Sequence, residues 1–303
     1  VLLAATLADK TVGTLMQPLA QTKWKAAFGM AVNLGKIQQR ADYMLKQQIL
    51  NADAYVRQAY TKQIYIEVKK QGMYSKEART LITWYLTKAA QASNTASTSV
   101  LTTSTTAIAK AARHEGAIQE YVQMMAQVAA SATHSCRDSG AGSGRVGNTA
   151  SELQVTDAGC VKSNANITTT AAEPSHFTDT GHNDPELRGT GSATSNAGGA
   201  SCTLTQDKSA TNRLLDGGSG ATIAGKPYFV GGLFKLGADL VLNKTETAAT
   251  TASNTPLLQG ADEAYMATKS SSEGYRFKAA AALAADPEYR KLFRSIYLGD
   301  SKL

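Results

Sequence analysis

The stretch that decides the fold is residues 21–72, QTKWKAAFGMAVNLGKIQQRADYMLKQQILNADAYVRQAYTKQIYIEVKKQG. Its apolar residues recur at mixed steps of three and four, the period of one helix face. Gly72 interrupts the pattern, so the stretch predicts one helix of about 50 residues, about 75 Å long at 1.5 Å per residue. The residues that carry the period are Trp24, Phe28, Val32, Ile37, Met44, Leu45, Ile49, Tyr55, Val56, Tyr60 and Ile64.

A second apolar run with the same period extends from Ala78 to Val128, after Ser75, which is well placed to cap a helix. Its middle, NTASTSVLTTSTTA, is rich in threonine and serine, so tertiary packing has to hold the helix there. A short turn at 70–75 makes the two helices an antiparallel hairpin, a rod that occupies about residues 20–133.

The composition changes after the second run. Glycine, serine, threonine and asparagine dominate from Arg137 to about Pro227, and we interpret residues 134–228 as a loop-rich lobe. All three cysteines, Cys136, Cys160 and Cys202, lie in this polar sequence, a placement that suggests disulfide staples. Without a C-x-x-C or H-x-x-x-H pair, the pattern does not predict a zinc site.

Residues 229–303 return to regular structure. Apolar and polar residues alternate from Phe234 to Leu242, which predicts a half-buried strand. Asp286-Pro287-Glu288 marks a helix start and Gly299 a helix end, and 261–285 is predicted to be helical with an interruption near 270–274. We therefore predict a mainly α, single elongated domain over residues 1–303, with a small antiparallel sheet and terminal helices packed on the rod.

Length, composition and charge limit the classes of protein to which the chain can belong. With 303 residues and 43% hydrophobic residues the chain can bury a core, and no apolar run approaches the roughly 20 residues that span a bilayer. Residues 1–8 lack a basic leader, so we interpret them as the start of the mature chain.

Residues 1–90 hold thirteen Lys/Arg against five Asp/Glu, which indicates a solvated basic face or a surface for an acidic partner. The charges are dispersed and no reader motif accompanies them, which argues against nucleic acid.

Two sequons, at Asn166 and Asn243, add to the three cysteines. Both features are typical of an oxidising, secretory route to a cell surface. We predict N-glycosylation at these two asparagines.

The sequence does not assemble a catalytic site. The nearest approach to an acid–base or metal cluster is His176 and His182 with Asp179 and Asp184, but this spacing matches no standard site. His114 and His134 suit ordinary surface or helix-end positions, and Met124, Met125 and the tyrosines suit the hairpin core. We predict no catalytic residue, no metal and no cofactor, and hence no enzyme.

This organisation resembles the N-terminal domain of African trypanosome variant surface glycoproteins of class A. The features in common are QPLAQ at 17–21 before a long helical hairpin, Cys136 where the second helix ends, further cysteines in a polar lobe, then a strand and terminal helices. The resemblance implies a homodimer on the cell surface, held by a GPI lipid anchor on a C-terminal domain outside this chain. It also implies a protective coat that host antibodies meet, immune evasion by antigenic variation, and passage through the endocytic pathway.

Carried over to this sequence, the family's two disulfides would join Cys136 to Cys202, and Cys160 to the position of Ala20. Alanine cannot form the second bond, so the resemblance leaves Cys160 unpaired. The segment after Cys202 is also short for a coat member. These two departures keep an alternative open, a serum-resistance-associated type of relative that binds and neutralises host lytic apolipoprotein L. A nutrient receptor of the same superfamily is the third interpretation.

Overall fold

The computed structural model describes residues 17–131, 134–138, 140, 167–195, 202–205, 226–237, 239–243, 255–269 and 275–299. Its helices are α1 (Gln21–Lys70), α2 (Lys76–Thr95), α3 (Leu101–Gln127), α4 (Pro256–Lys269), α5 (Ala280–Ala285) and α6 (Pro287–Leu298). The strands are β1 (Ala129–Ser131), β2 (His134–Ser135), β3 (Phe177–Thr178), β4 (Gly181–His182), β5 (Tyr228–Phe229), β6 (Phe234–Leu236) and β7 (Leu240–Leu242). The predicted fold class, mainly helical with a long helix, small antiparallel sheets and a disulfide, is confirmed.

The chain divides into two compact units. The first comprises Val1–Gln38, Ala107–Thr168 and Ala172–Met266, and the second comprises Gln39–Thr106, Thr169–Ala171 and Ala267–Leu303. Helices α1, α3 and α4 contribute residues to both units. The assignment of one elongated domain to the whole chain stays a prediction.

The hairpin turn has the predicted chemistry. Helix α1 ends at Lys70, and Gln71 and Gly72 adopt positive φ angles of 50° and 74°. The Ser75 hydroxyl then accepts a hydrogen bond from the Ala78 N–H, which satisfies one of the free donors at the start of α2. A five-residue turn therefore reverses the chain between two long helices.

The threonine-rich middle of the second run stays helical. Residues Ala96–Val100 form a single π-helical turn between α2 and α3. Hydroxyl groups bond back to main-chain oxygens four residues earlier, Thr98 to Asn94, Thr102 to Thr98 and Thr105 to Leu101. These bonds satisfy side chains that would otherwise compete with the helix.

The second unit has an aromatic core between α1, α2 and the terminal helices. Tyr55 of α1 meets Trp84 edge-on with ring centroids 6.0 Å apart, and Trp84 also contacts Tyr289 of α6. The buried members of this core are Ala59, Ile66, Ile82, Trp84, Tyr85 and Leu283. The Asp286 carboxylate caps α6 at the Glu288 and Tyr289 amides and Gly299 ends it at φ 66°, as the sequence predicts.

The first unit contains a three-stranded antiparallel sheet in the order β5-β6-β7, and Tyr121 of α3 packs on Phe229 and Phe234 of this sheet. The sequence predicted a single strand over 234–242; that prediction is wrong because the chain reverses between β6 and β7 and pairs Phe234 with Leu242. The alternation still holds, since Phe234, Leu236, Leu240 and Leu242 are all buried. Helix α4 begins at Pro256, five residues before the predicted helix.

Candidate functional site

The segment before α1 is a short strand-like piece of the first unit, which pairs with residues on both of its sides. The Leu19 N–H donates to the Cys136 oxygen, and the Asp138 N–H donates to the Leu19 oxygen, each at 2.9 Å. On its other side the Ala20 N–H donates to the Ala193 oxygen at 2.9 Å. Leu19 is fully buried, so the start of α1 is fixed between two distant parts of the lobe.

A disulfide joins Cys136 to Cys202 next to this segment, with the two Cα atoms 4.6 Å apart. Both cysteines are fully buried, and the Thr205 hydroxyl donates to the Gln17 oxygen. The disulfide attaches the 202–205 turn to the segment that follows α3, and the Thr205 hydrogen bond connects the same turn to the residues that precede α1. Cys160, which the family resemblance leaves unpaired, lies outside the described residues.

Trp24 completes this joint from the first turn of α1. Its Nε1 donates to the main-chain oxygen of Asp138 at 2.9 Å, and its side chain is fully buried. The guanidinium of Arg137 lies 4.5 Å from the centroid of the Trp24 ring, a cation–π contact inside the protein. We call Leu19, Trp24, Cys136, Arg137 and Cys202 the lobe joint.

The structure brings most of the predicted acid–base residues together. His176 Nδ1 lies 3.0 Å from Asp184 Oδ2, and His182 is almost fully buried beside them on β4. Burial alone would raise the pKa of Asp184, but hydrogen bonds from His176 and the Glu186 N–H hold it below its usual range. Asp179 is exposed.

This group is a structural contact of the hairpin β3–β4. The ring of His176 lies against Gly29 of α1, where an added Cβ would be 2.9 Å from His176 Cε1. The residues that the structure describes hold no group of three or more His, Cys, Asp or Glu with the geometry of a metal site. The Asp184 carboxylate also accepts from the Glu186 N–H at the start of a 3₁₀ turn, a capping role.

His114 is a residue whose position the sequence analysis missed. The prediction of a surface or helix-end role is wrong, because its side chain is fully buried on α3. Its Nε2 lies 3.2 Å from the Val230 oxygen, and burial lowers its pKa to about 4. The available signal was the apolar series Ala107, Ala111, Ile118 and Val122, which with position 114 follows steps of three and four and places His114 on the buried helix face.

Asp262 on α4 is a second buried titratable group. Both of its carboxylate oxygens are buried, with no hydrogen-bond partner in the described part of the chain. Burial, together with the neighbouring Glu263, raises its pKa to about 7. The carboxyl group is therefore uncharged at mildly acidic pH.

The outer face of α1 in the second unit is apolar and exposed. Tyr60, Ile64 and Val68 follow one another at four-residue steps and are 56%, 62% and 68% exposed. Ala59 and Ile66, on the opposite side of the same helix, are buried in the aromatic core. The sequence analysis placed the tyrosines and methionines in the core; that is wrong for Tyr60, Tyr65 and Met124, which are exposed, and right for Met125.

Of the two sequon asparagines, only Asn243 lies among the residues that the structure describes. Asn166 lies outside the described residues. Asn243 follows β7, where its Nδ2 donates to the Gly232 oxygen at 2.9 Å and its N–H donates to the Leu233 oxygen at 2.8 Å. The Asn243 amide thus supports the turn at 230–232, and its glycosylation stays a prediction.

None of the described helices combines the length and the apolar character that crossing a membrane requires.

The fold and the lobe joint together define a helical-hairpin protein with a disulfide-linked lobe. A family model described as trypanosome variant surface glycoprotein (A-type) matches residues 1–302. The chain belongs to the trypanosome variant surface glycoprotein family.

A solved structure described as "Structure of MITat 1.1" has the same fold. The TM-score is 0.74 at 18% identity, and the match covers 95% of this chain and 79% of the other. At this identity the likeness shows the fold alone. Comparison with curated proteins gave no match. The family forms the cell-surface coat of trypanosomes, and its members are structural surface proteins, not enzymes.

Proposed function

We propose that this chain is a coat glycoprotein whose work is physical: it covers the cell surface and presents variable loops to host antibodies in immune evasion. The family match over residues 1–302 carries this proposal. In it, the N-terminal domain is one elongated unit, anchored by a GPI lipid outside this chain, and it passes through the endocytic pathway. The helical hairpin is the scaffold, and the lobe joint fixes the loops to the start of α1.

The partner proposed for the outer face of α1 is a second copy of the chain. Tyr60, Ile64 and Val68 form a continuous apolar row on an exposed helix face, and such rows are covered when helices associate. Arg57 and Asp53, one turn earlier, pair with each other at 2.7 Å and leave no net charge on that part of the face. A homodimer through this row fits a coat of closely packed molecules.

Labelling of live cells tests the coat proposal. Antibodies raised against the folded chain are expected to label unpermeabilised trypanosomes that express it, uniformly over the surface. Treatment with a phosphatidylinositol-specific phospholipase should release the label, because the anchor is a lipid. Label that is confined to internal compartments would contradict the coat proposal. Surface label that the phospholipase does not release would contradict the lipid anchor.

The second candidate is a family-derived binding protein for host apolipoprotein L. It is favoured by Ala20, which stands where the family resemblance expects a cysteine, and by the basic first ninety residues. Exposed lysines such as Lys69 and Lys70 near the end of α1 are suited to an acidic helix. Retention of one apolipoprotein from human serum on the immobilised chain would favour this function over the coat. A nutrient receptor is the third candidate, and retention of a nutrient carrier protein instead would favour it.

A further inference from the structure

The turn at 230–232 is held against α3 in a backbone conformation that few residues adopt. Val230, Gly231 and Gly232 all have positive φ angles, 56°, 66° and 107°. A β-branched residue such as Val230 is strained in this region, and such strain persists only where surrounding contacts over-determine the conformation. The contacts that hold this turn therefore decide whether it stays closed.

His114 makes one of these contacts. An added Cβ at Gly231 would lie 2.5 Å from the His114 ring, so the glycine lets the backbone approach the imidazole closely. Because a carbonyl oxygen only accepts, His114 Nε2 must carry the proton that bonds the Val230 oxygen. Nδ1 is then the unprotonated nitrogen, and it is buried with no hydrogen-bond partner among the described residues.

A proton on Nδ1 would create a buried charge, and the nearby groups are poorly placed to compensate it. A charge on the His182 ring, on β4, would repel a second charge on His114 and disfavour its protonation. The carboxylate of Asp184 is already bonded to His176, that of Glu115 to Gln38 and Gln119, and that of Glu263 to Lys110.

The remaining titratable groups do not change this conclusion. Asp262 on α4 is uncharged below about pH 7. On the helix of His114 itself, the neighbouring charged side chains Lys110 and Arg113 are cationic. The 230–232 turn contributes no titratable side chain. An isolated buried charge is strongly unfavourable, so protonation favours a conformation in which the imidazole reaches water.

We propose that neutral His114 is an acid-sensitive contact that keeps the 230–232 turn closed, and that its protonation releases the turn. The turn borders a cleft of about 400 Å³ whose other walls include Tyr121, Met124, Phe229 and Leu257. Release of the turn opens this apolar cleft. The strained φ angles of the turn favour the release once the His114 contact is lost.

Hydrogen exchange on the full chain tests the proposal. Protection factors of the amides at 231–236, corrected for intrinsic exchange, should fall roughly 50-fold between pH 7 and pH 4.5, the change expected when a ring with a pKa of about 4 regains its ordinary value on opening. The amides of Trp84 and Tyr85, in the second unit, are the internal control and should keep their protection. His114→Gln keeps an N–H for the Val230 oxygen but does not titrate, so it should abolish the change at 231–236.

A second measurement keeps the proposal testable if the variant does not fold. The ring ¹⁵N shifts of His114 in the wild-type chain should show a neutral Nε2–H tautomer down to about pH 5. Titration near pH 6.5, or a pH dependence at 231–236 that His114→Gln retains, would overturn the proposal.

Discussion

The Nε1 atom of Trp24 donates to the main-chain oxygen of Asp138, 2.9 Å away and 114 residues later in the chain. This bond connects the first turn of α1 to the segment that follows α3 and Cys136. Together with the cation–π contact of Arg137 it makes Trp24 the centre of the lobe joint. The buried Trp24 indole therefore contacts both Arg137 and the main chain of Asp138.

Trp24→Phe should lower the free energy of unfolding by about 1–3 kcal/mol, since it leaves a buried carbonyl without its donor and weakens the cation–π contact. Urea unfolding followed by circular dichroism measures the loss. Trp84→Phe is the matched control, because the Trp84 indole is equally buried but its N–H has no partner in the described part of the chain. An equal loss in both variants would mean that the Trp24 hydrogen bond contributes nothing.

Removal of the disulfide by the double substitution Cys136→Ser and Cys202→Ser should lower stability by about 3–4 kcal/mol. The bond closes a loop between residues 66 apart, and the effect of a crosslink on the unfolded chain increases with loop length. Thermal unfolding with and without reductant measures it. Cys160→Ser is the control and should change little; a larger effect from Cys160→Ser than from the double variant would contradict the proposed pairing.

Asp262→Asn should become stabilising relative to wild type as pH rises. The folded pKa of Asp262 is raised to about 7, so its contribution to stability is complete below about pH 4 and is lost as pH rises through 7. The asparagine does not ionise, and the difference between variant and wild type should increase by about 2–4 kcal/mol from pH 4 to pH 8. Urea unfolding at several pH values gives this difference, and a constant difference would contradict burial of the carboxyl group.

The Asp262→Asn variant should also make the contribution of His114 to the pH dependence of stability visible. A pKa lowered to about 4 gives a contribution that is complete above about pH 6.5 and is lost as pH falls through 4. Between about pH 4 and 6.5 the two groups act in opposite directions, so wild-type stability should be nearly flat. In Asp262→Asn it should rise with pH across this window.

A charge on the outer face of α1 should prevent the proposed dimer without unfolding the chain. Ile64→Glu places a carboxylate in the centre of the exposed row, where a second copy would bury it. Light scattering after size exclusion should show monomer for Ile64→Glu and dimer for wild type, with unchanged helical content. Thr106→Glu, at an exposed position on α3, should remain dimeric, and a dimer for both variants would place the interface elsewhere.

Local chemistry made much of the fold predictable. The helix period, the Ser75 cap, the Asp286 cap and Gly299 each depend on residues near in sequence, and the structure confirms them. The strand at 234–242 failed because a period of two does not show where a chain reverses, and β6 and β7 keep the same face buried on both sides of the turn.

The lobe joint was less predictable because its contacts are long-range. Nothing local to Trp24 or Arg137 shows that the two side chains meet, or that Leu19 pairs with Cys136. The buried state of His114 was missed for the same reason, since its partner Val230 is 116 residues away. On α1 the mixed period of three and four could not separate the buried Ile66 from the exposed Ile64.

Peptide mapping of the unreduced protein by mass spectrometry tests the central claim most directly, that a disulfide between Cys136 and Cys202 links the 202–205 turn to the segment after α3, beside the start of α1. The account predicts one linked peptide pair that contains Cys136 and Cys202, and a Cys160 peptide that an alkylating reagent modifies without prior reduction. A linked pair that contains Cys160 would contradict it.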